Sequence, residues 1–165
     1  MTTTNPIRNR PSTSSQLLLH DASLTFAAGA FGGVLNSLTV WIFGAIGITG
    51  LLGVKIAPAF TPAWLYPRIV WGGLWGFLFL LSLPFLARKS AWIQGLVLSL
   101  VPSLVQLLLV FPVKDGKGFL GLGLGLLTPL FVLLFNAVWG VGTAFLLHWI
   151  NRNSYPSEFE VNQLL

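Results

Sequence analysis

Charge divides this sequence into blocks. Four stretches carry no Asp, Glu, Lys or Arg: residues 22–54, 69–87, 90–113 and 118–151, which are 33, 19, 24 and 34 residues long. A membrane-spanning helix needs about 20 apolar residues. Each shorter stretch holds one such helix, and neither longer one holds two helices plus a turn. The predicted spans are therefore four, near 23–46, 69–86, 91–113 and 129–150. Runs such as Leu104-Val105-Gln106-Leu107-Leu108-Leu109-Val110-Phe111 do not alternate as barrel strands must. The expected fold is all-α, a polytopic four-transmembrane-helix bundle. Composition agrees, because only 8% of residues are charged, against about 25% in soluble domains. A chain that is 55% hydrophobic and holds 18 glycines cannot cover a water-facing surface with so few charges. The absence of cysteine excludes disulfides, thiolate metal sites and cysteine nucleophiles.

The polar ends read as tails, a flexible one over 1–21 and a second over 151–165. The first apolar run begins late and lacks a small-residue cleavage site, unlike a signal peptide. Four spans place both termini on one side, with Arg8, Arg10, Arg88, Lys89 and Arg152. The other side then carries Lys55, Arg68, Lys114 and Lys117. Five against four, with Arg88-Lys89 in the tightest loop, favours cytoplasmic termini. The net charge of +5 reads as membrane anchoring rather than a nucleic-acid surface, since no basic stripe could track phosphates.

Sliding the chain by 67–68 residues gives an ordered set of matches. Gly50-Leu51-Leu52-Gly53 falls on Gly118-Phe119-Leu120-Gly121, and Thr61-Pro62 on Thr128-Pro129. Val70-Trp71-Gly72 falls on Val138-Trp139-Gly140, and Phe77-Leu78 on Phe145-Leu146. This predicts two tandem helix hairpins, each built as helix, Gly-rich shoulder, Thr-Pro, helix. Two-helix units keep their orientation in the membrane, so the repeat is a parallel one. The shoulders, 47–60 and 118–127, are too apolar for free loops and too short to span. Either they lie at the interface or partly re-enter it, or the Gly-Leu alternation at 121–126 is the start of the last helix.

Small residues let helices approach closely in lipid. Gly29 and Gly33, and likewise Gly72 and Gly76, are four apart, and Gly140 with Ala144 repeats the spacing. These are the predicted packing faces, within the bundle or towards another protein. Polar residues at depth are few. Ser99, Ser103 and Gln106 share one helix face. Gln106 and Asn136 lie at a common depth of about 10 Å, with Asn36 slightly deeper. An Asn36–Gln106–Asn136 cluster follows, read first as interhelical hydrogen bonding and second as the lining for a neutral solute. No Asp, Glu, Lys or Arg falls inside a predicted span, which argues against proton relays and voltage sensing.

His20 and His148 are the only histidines, both near the inner interface. They are the candidate ligands of a haem or chlorophyll, against the plainer reading of two wet interfacial side chains and no cofactor. No metal site is expected. Trp41, Trp64, Trp92 and Trp149 fit an aromatic belt, and Trp71, Trp75 and Trp139 accompany glycines and are expected to pack over them. Asp115 with Lys117 is a charged turn, and His20-Asp21 is a dyad without a nucleophile. The Gly-Leu run lacks the Lys-Ser/Thr that ends a phosphate loop. An enzyme is not expected.

Gln94-Gly95-Leu96, Gln106-Leu107 and Phe111-Pro112, followed by a short loop and an apolar helix, resemble the YagU-like bacterial inner-membrane proteins. The stretch Pro67-Arg68-Ile69-Val70-Trp71-Gly72-Gly73-Leu74-Trp75-Gly76 is similar to small uncharacterised membrane proteins of cyanobacteria. These resemblances imply a plasma or thylakoid membrane and supply no catalytic or binding residue. The expected function is a non-enzymatic accessory, scaffold or assembly component that packs against membrane lipids and other membrane proteins, or against its own copies. The alternative is a small oligomeric transporter or channel, and a haem or pigment carrier comes third.

Overall fold

The computed structural model describes residues 14–81, 86 and 88–154. Helix α1 is Ser14–Ala45, followed by a single helical turn α2, Ile48–Leu51. Helix α3, Pro62–Gly76, continues into a 3-10 turn at Phe77–Leu80. Helix α4, Ala91–Val105, passes into a π-helical segment, Gln106–Lys114. A 3-10 segment, Phe119–Leu124, leads to helix α5, Thr128–Ser154. All of these elements are helical. Three stretches, Ser14–Ala45, Ala91–Lys114 and Thr128–Arg152, are long and apolar enough to cross a membrane.

The burial pattern is that of a membrane-embedded protein. The buried face of α1 is Thr25, Ala28, Gly29, Gly32, Gly33, Asn36, Ser37 and Val40, small and polar side chains rather than large apolar ones. Large hydrophobics such as Phe31, Leu104, Leu109, Leu130 and Phe145 face outwards instead. In water that distribution would be inverted, and in lipid it costs nothing, because the tails are as apolar as leucine.

Three helix boundaries differ from the expected ones. Helix α1 starts at Ser14, so residues 14–21 of the predicted flexible tail are helical. Residues 151–154 likewise extend α5. What remains of the two tails, 1–13 and 155–165, lies outside the described residues, as do 82–85 of the second predicted span. Helix α3 starts seven residues before the predicted 69. Thr61 caps it, its hydroxyl accepting from the Trp64 N–H at 3.3 Å, and Pro62 occupies the first turn, where a missing N–H is harmless. The charge of Arg68 had marked a boundary, but the cap sets it.

Helices α1 and α3 pack antiparallel, Gly29 and Gly33 against Gly72 and Gly76. A methyl group at Gly72 would lie 2.8 Å from the Gly29 carbonyl oxygen and 2.9 Å from the Gly33 Cα. Helices α4 and α5 form a second antiparallel pair with an equivalent seam, where Gly140 meets the Gly95 carbonyl. Helices α1 and α5 join the pairs along their length, whereas α3 and α4 share no extended contact among the described residues. Trp139, 3% exposed, seals the junction of α1, α3 and α5. Its indole N–H is shared between the carbonyls of Gly29, at 3.0 Å, and Gly72, at 3.3 Å. Trp71 and Trp75 do not pack over glycines in this way and line the gap between α3 and α4.

The shoulders meet each other. The Lys55 N–H donates to the Leu124 carbonyl at 2.8 Å, and Gly125 sits against the Gly53 carbonyl with φ +140°. Val54 at the first shoulder is buried with Val40, Phe131 and Phe135. The second shoulder is not the beginning of α5, because Leu120 and Gly121 take left-handed conformations, φ 56° and 73°. A left-handed leucine breaks any continuous helix at that point.

Candidate functional site

The gap between α3 and α4 is a two-lobed cleft floored by α1 and α5. One lobe, of about 300 Å³, runs under the shoulders between Lys55, Trp64, Leu124 and Phe135. The other, of about 460 Å³, lies between Trp71, Trp75, Pro102, Val105 and Trp139. Asn36, Arg68, Gln106 and Phe111 line both. The tools of recognition are therefore concentrated where the lobes join.

Arg68 is the principal addition to the expected site. It sits on α3 and is half-buried, not in a loop outside the helices. Its Nε donates to Ser37 Oγ at 3.2 Å and its Nη2 to Asn36 Oδ1 at 3.1 Å. The guanidinium carbon lies 4.7 Å from the Trp64 ring centroid, a cation–π contact. The predicted spans held no Asp, Glu, Lys or Arg, and Arg68 falls one residue before the second of them. Yet α3 starts earlier still and carries the guanidinium on a helix. A cation is tolerable here because its long stem reaches the polar side of α1 and neutral oxygens solvate its head.

The three expected amides converge without forming a closed ring. Asn136 Nδ2 lies 3.4 Å from Gln106 Oε1, a long bond between α5 and α4. Asn36 bonds to neither of them. Its Nδ2 donates to the Phe135 carbonyl at 2.7 Å, one residue from Asn136, and its Oδ1 serves Arg68. Gln106 stands where α4 changes from α to π winding, four residues after Pro102. The wider winding rotates the following side chains, and such interruptions are frequent at functional sites. Ser99 and Ser103 are buried on the same helix but bond back to Leu96 and Ser99 carbonyls, so neither offers its proton to the cleft.

The other expected residues divide cleanly. Gly29, Gly33, Gly72, Gly76 and Gly140 all lie in the two helix seams. His20 is exposed and 3.3 Å from Asp21. His148 is exposed on α5. No hydrogen bond or ring contact joins the histidines, and no group of three or more His, Cys, Asp or Glu side chains could hold a metal among the described residues. The signal that could have found Arg68 was in the sequence. Thr61-Pro62 is a helix start, and the 68-residue shift that pairs Val70 with Val138 pairs Arg68 with Asn136.

Comparisons with protein-family models, with curated proteins and with solved structures return no match. The functional reading therefore rests on the cleft.

Proposed function

We propose that this is a four-span, non-enzymatic membrane protein, made of two tandem helix hairpins, that holds a small solute in the cleft between α3 and α4. The carrying observation is that Asn36, Arg68, Gln106 and Asn136, from four different helices, reach one cavity of a size typical for small-molecule sites. The accessory-subunit reading drew on the apolar shoulders, the absence of Asp, Glu, Lys and Arg from the predicted spans, and the glycine faces. Those faces are closed against each other inside the chain, so the cleft is the better guide. The solute is not required to be neutral, because Arg68 lines the site.

The fourth span is α3. Its 15 residues rise about 22 Å, and the 3-10 turn adds about 8 Å, together about the thickness of the hydrocarbon layer. Its register against α1, from Ser37 with Arg68 to Thr25 with Gly76, supports a crossing. The duplication is supported by matching glycine seams, matching Thr-Pro starts and the mutual contact of the shoulders. The orientation we favour keeps the termini cytoplasmic.

Because the chain has no cysteine, single-cysteine variants test access. Gln106→Cys and Asn136→Cys are expected to react with a small membrane-impermeant methanethiosulfonate added from the shoulder side. Ser103→Cys and Thr143→Cys, at 0% exposure, are expected to stay unlabelled. A Gln106→Cys variant that is unreactive from both sides would remove the solute reading.

A further inference from the structure

We propose that the solute is an organic anion, its oxyanion head on the guanidinium of Arg68 and its apolar body against Trp71 and Trp75. This rests on the solute-holding reading above and specifies the ligand class. The first support is charge balance. The cleft is lined by the cations Lys55, Arg68 and Lys114 and by a single acid, Asp115. Among the described residues the only ion pair is that of His20 with Asp21, so Asp115 stands beyond ion-pair distance of Arg68. A guanidinium held by two neutral oxygens and the face of Trp64 has no counter-charge beside it, and a bound anion would supply one.

The second support is hydrogen-bond geometry. A guanidinium has five N–H donors in a rigid fork. The edge formed by Nε and Nη2 is engaged by Ser37 and Asn36. Nη1 and the second Nη2 hydrogen remain for a bidentate carboxylate or phosphate, the pairing to which a planar fork is best suited. Gln106 and Asn136 line the same cavity as Arg68 and carry amide donors. The larger lobe then offers the indoles of Trp71, which is 56% exposed, and Trp75, with ring centroids 6.3 Å apart. Lys55 and Lys114, both exposed, would draw an anion towards the mouth. A bare inorganic anion would leave this aromatic lobe unused.

The head could belong to a free organic acid or to an anionic lipid, and two arms separate them. The full chain in phosphatidylcholine nanodiscs is titrated with 2-naphthoate and with the matched cation 2-naphthylmethylammonium, reading tryptophan quenching. The chain in phosphatidylglycerol nanodiscs is compared with that in phosphatidylcholine by thermal stability. Arg68→Gln is expected to weaken naphthoate binding by about tenfold or more, the loss of a charge-assisted bond. Arg68→Lys, which keeps the charge without the fork, should fall between. Circular dichroism confirms that each variant is helical. Arg68-dependent naphthoate binding identifies a free acid as the source, and Arg68-dependent stabilisation by phosphatidylglycerol identifies a lipid. The proposal is overturned if neither anion shows dependence on Arg68, or if the cation binds as well as naphthoate. Should Gln106→Cys still be labelled in that event, the cleft remains a solute site and only its anion preference is wrong.

Discussion

Asn36 ties three helices together at one point, donating to α5 and accepting from α3. Replacing it with leucine would strand the Phe135 contact and leave half of the Arg68 edge without an acceptor. We expect Asn36→Leu to lower the unfolding free energy by about 2 kcal/mol, the range for hydrogen bonds to charged groups. Gln106→Leu removes only the 3.4 Å bond to Asn136 and should cost no more than about 0.6 kcal/mol, the average for polar contacts between membrane helices. Denaturant titration in detergent measures both, and an equal cost would mean that the amides act as one network. Gly72 is a harder constraint. A methyl there meets backbone of α1 on two sides, and backbone cannot rotate away as a side chain can. Gly72→Ala should destabilise by about 1–3 kcal/mol, as overpacking does. These residues were legible in the sequence as types and spacings. Their partners were not, because three amides at similar depth do not specify which carbonyl or cation each will choose.

The two Thr-Pro helix starts look alike in sequence and differ in chemistry. Thr61 caps α3 through its hydroxyl. Thr128 is fully buried and its hydroxyl has no partner among the described residues. Thr61→Ala should therefore cost about 1 kcal/mol, the usual loss of a helix cap. Thr128→Val, which keeps the shape and deletes the unsatisfied group, should be neutral or stabilising. Thermal unfolding of the two variants side by side distinguishes them, and a loss at Thr128 as large as at Thr61 would show that its hydroxyl is engaged after all. The same comparison explains which element boundaries could be read early. Gaps between charges located α1, α4 and α5 to within a turn at their shoulder ends, because lipid excludes charge. The gaps misplaced α3, since a guanidinium on a long stem can lie within a helix when oxygens on α1 receive it. The shift to π winding at Gln106 was not legible either. Pro102 and Pro112 mark strain in the helix without saying how the backbone absorbs it.

At the scale of the whole molecule, the placing of α3 decides the topology. The three helices that meet the length and hydropathy of a span would by themselves put the termini on opposite sides. A crossing by α3 returns them to the same side. The proposed crossing draws support from the contact of α3 with α1, which runs from Ser37, bonded to Arg68, to Thr25, whose carbonyl faces Gly76. Twelve residues of α1 separate those two contacts, about 18 Å along its axis. Such a length of contact is what a fourth span beside α1 would show. Fusions of a fluorescent and an alkaline-phosphatase reporter to each end of the chain give the test. Both ends should report the cytoplasm, with fluorescence and no phosphatase activity. Termini on opposite sides would mean that α3 turns back within the layer. Arg68 would then stand on a re-entrant segment, and the cleft would open to one face only.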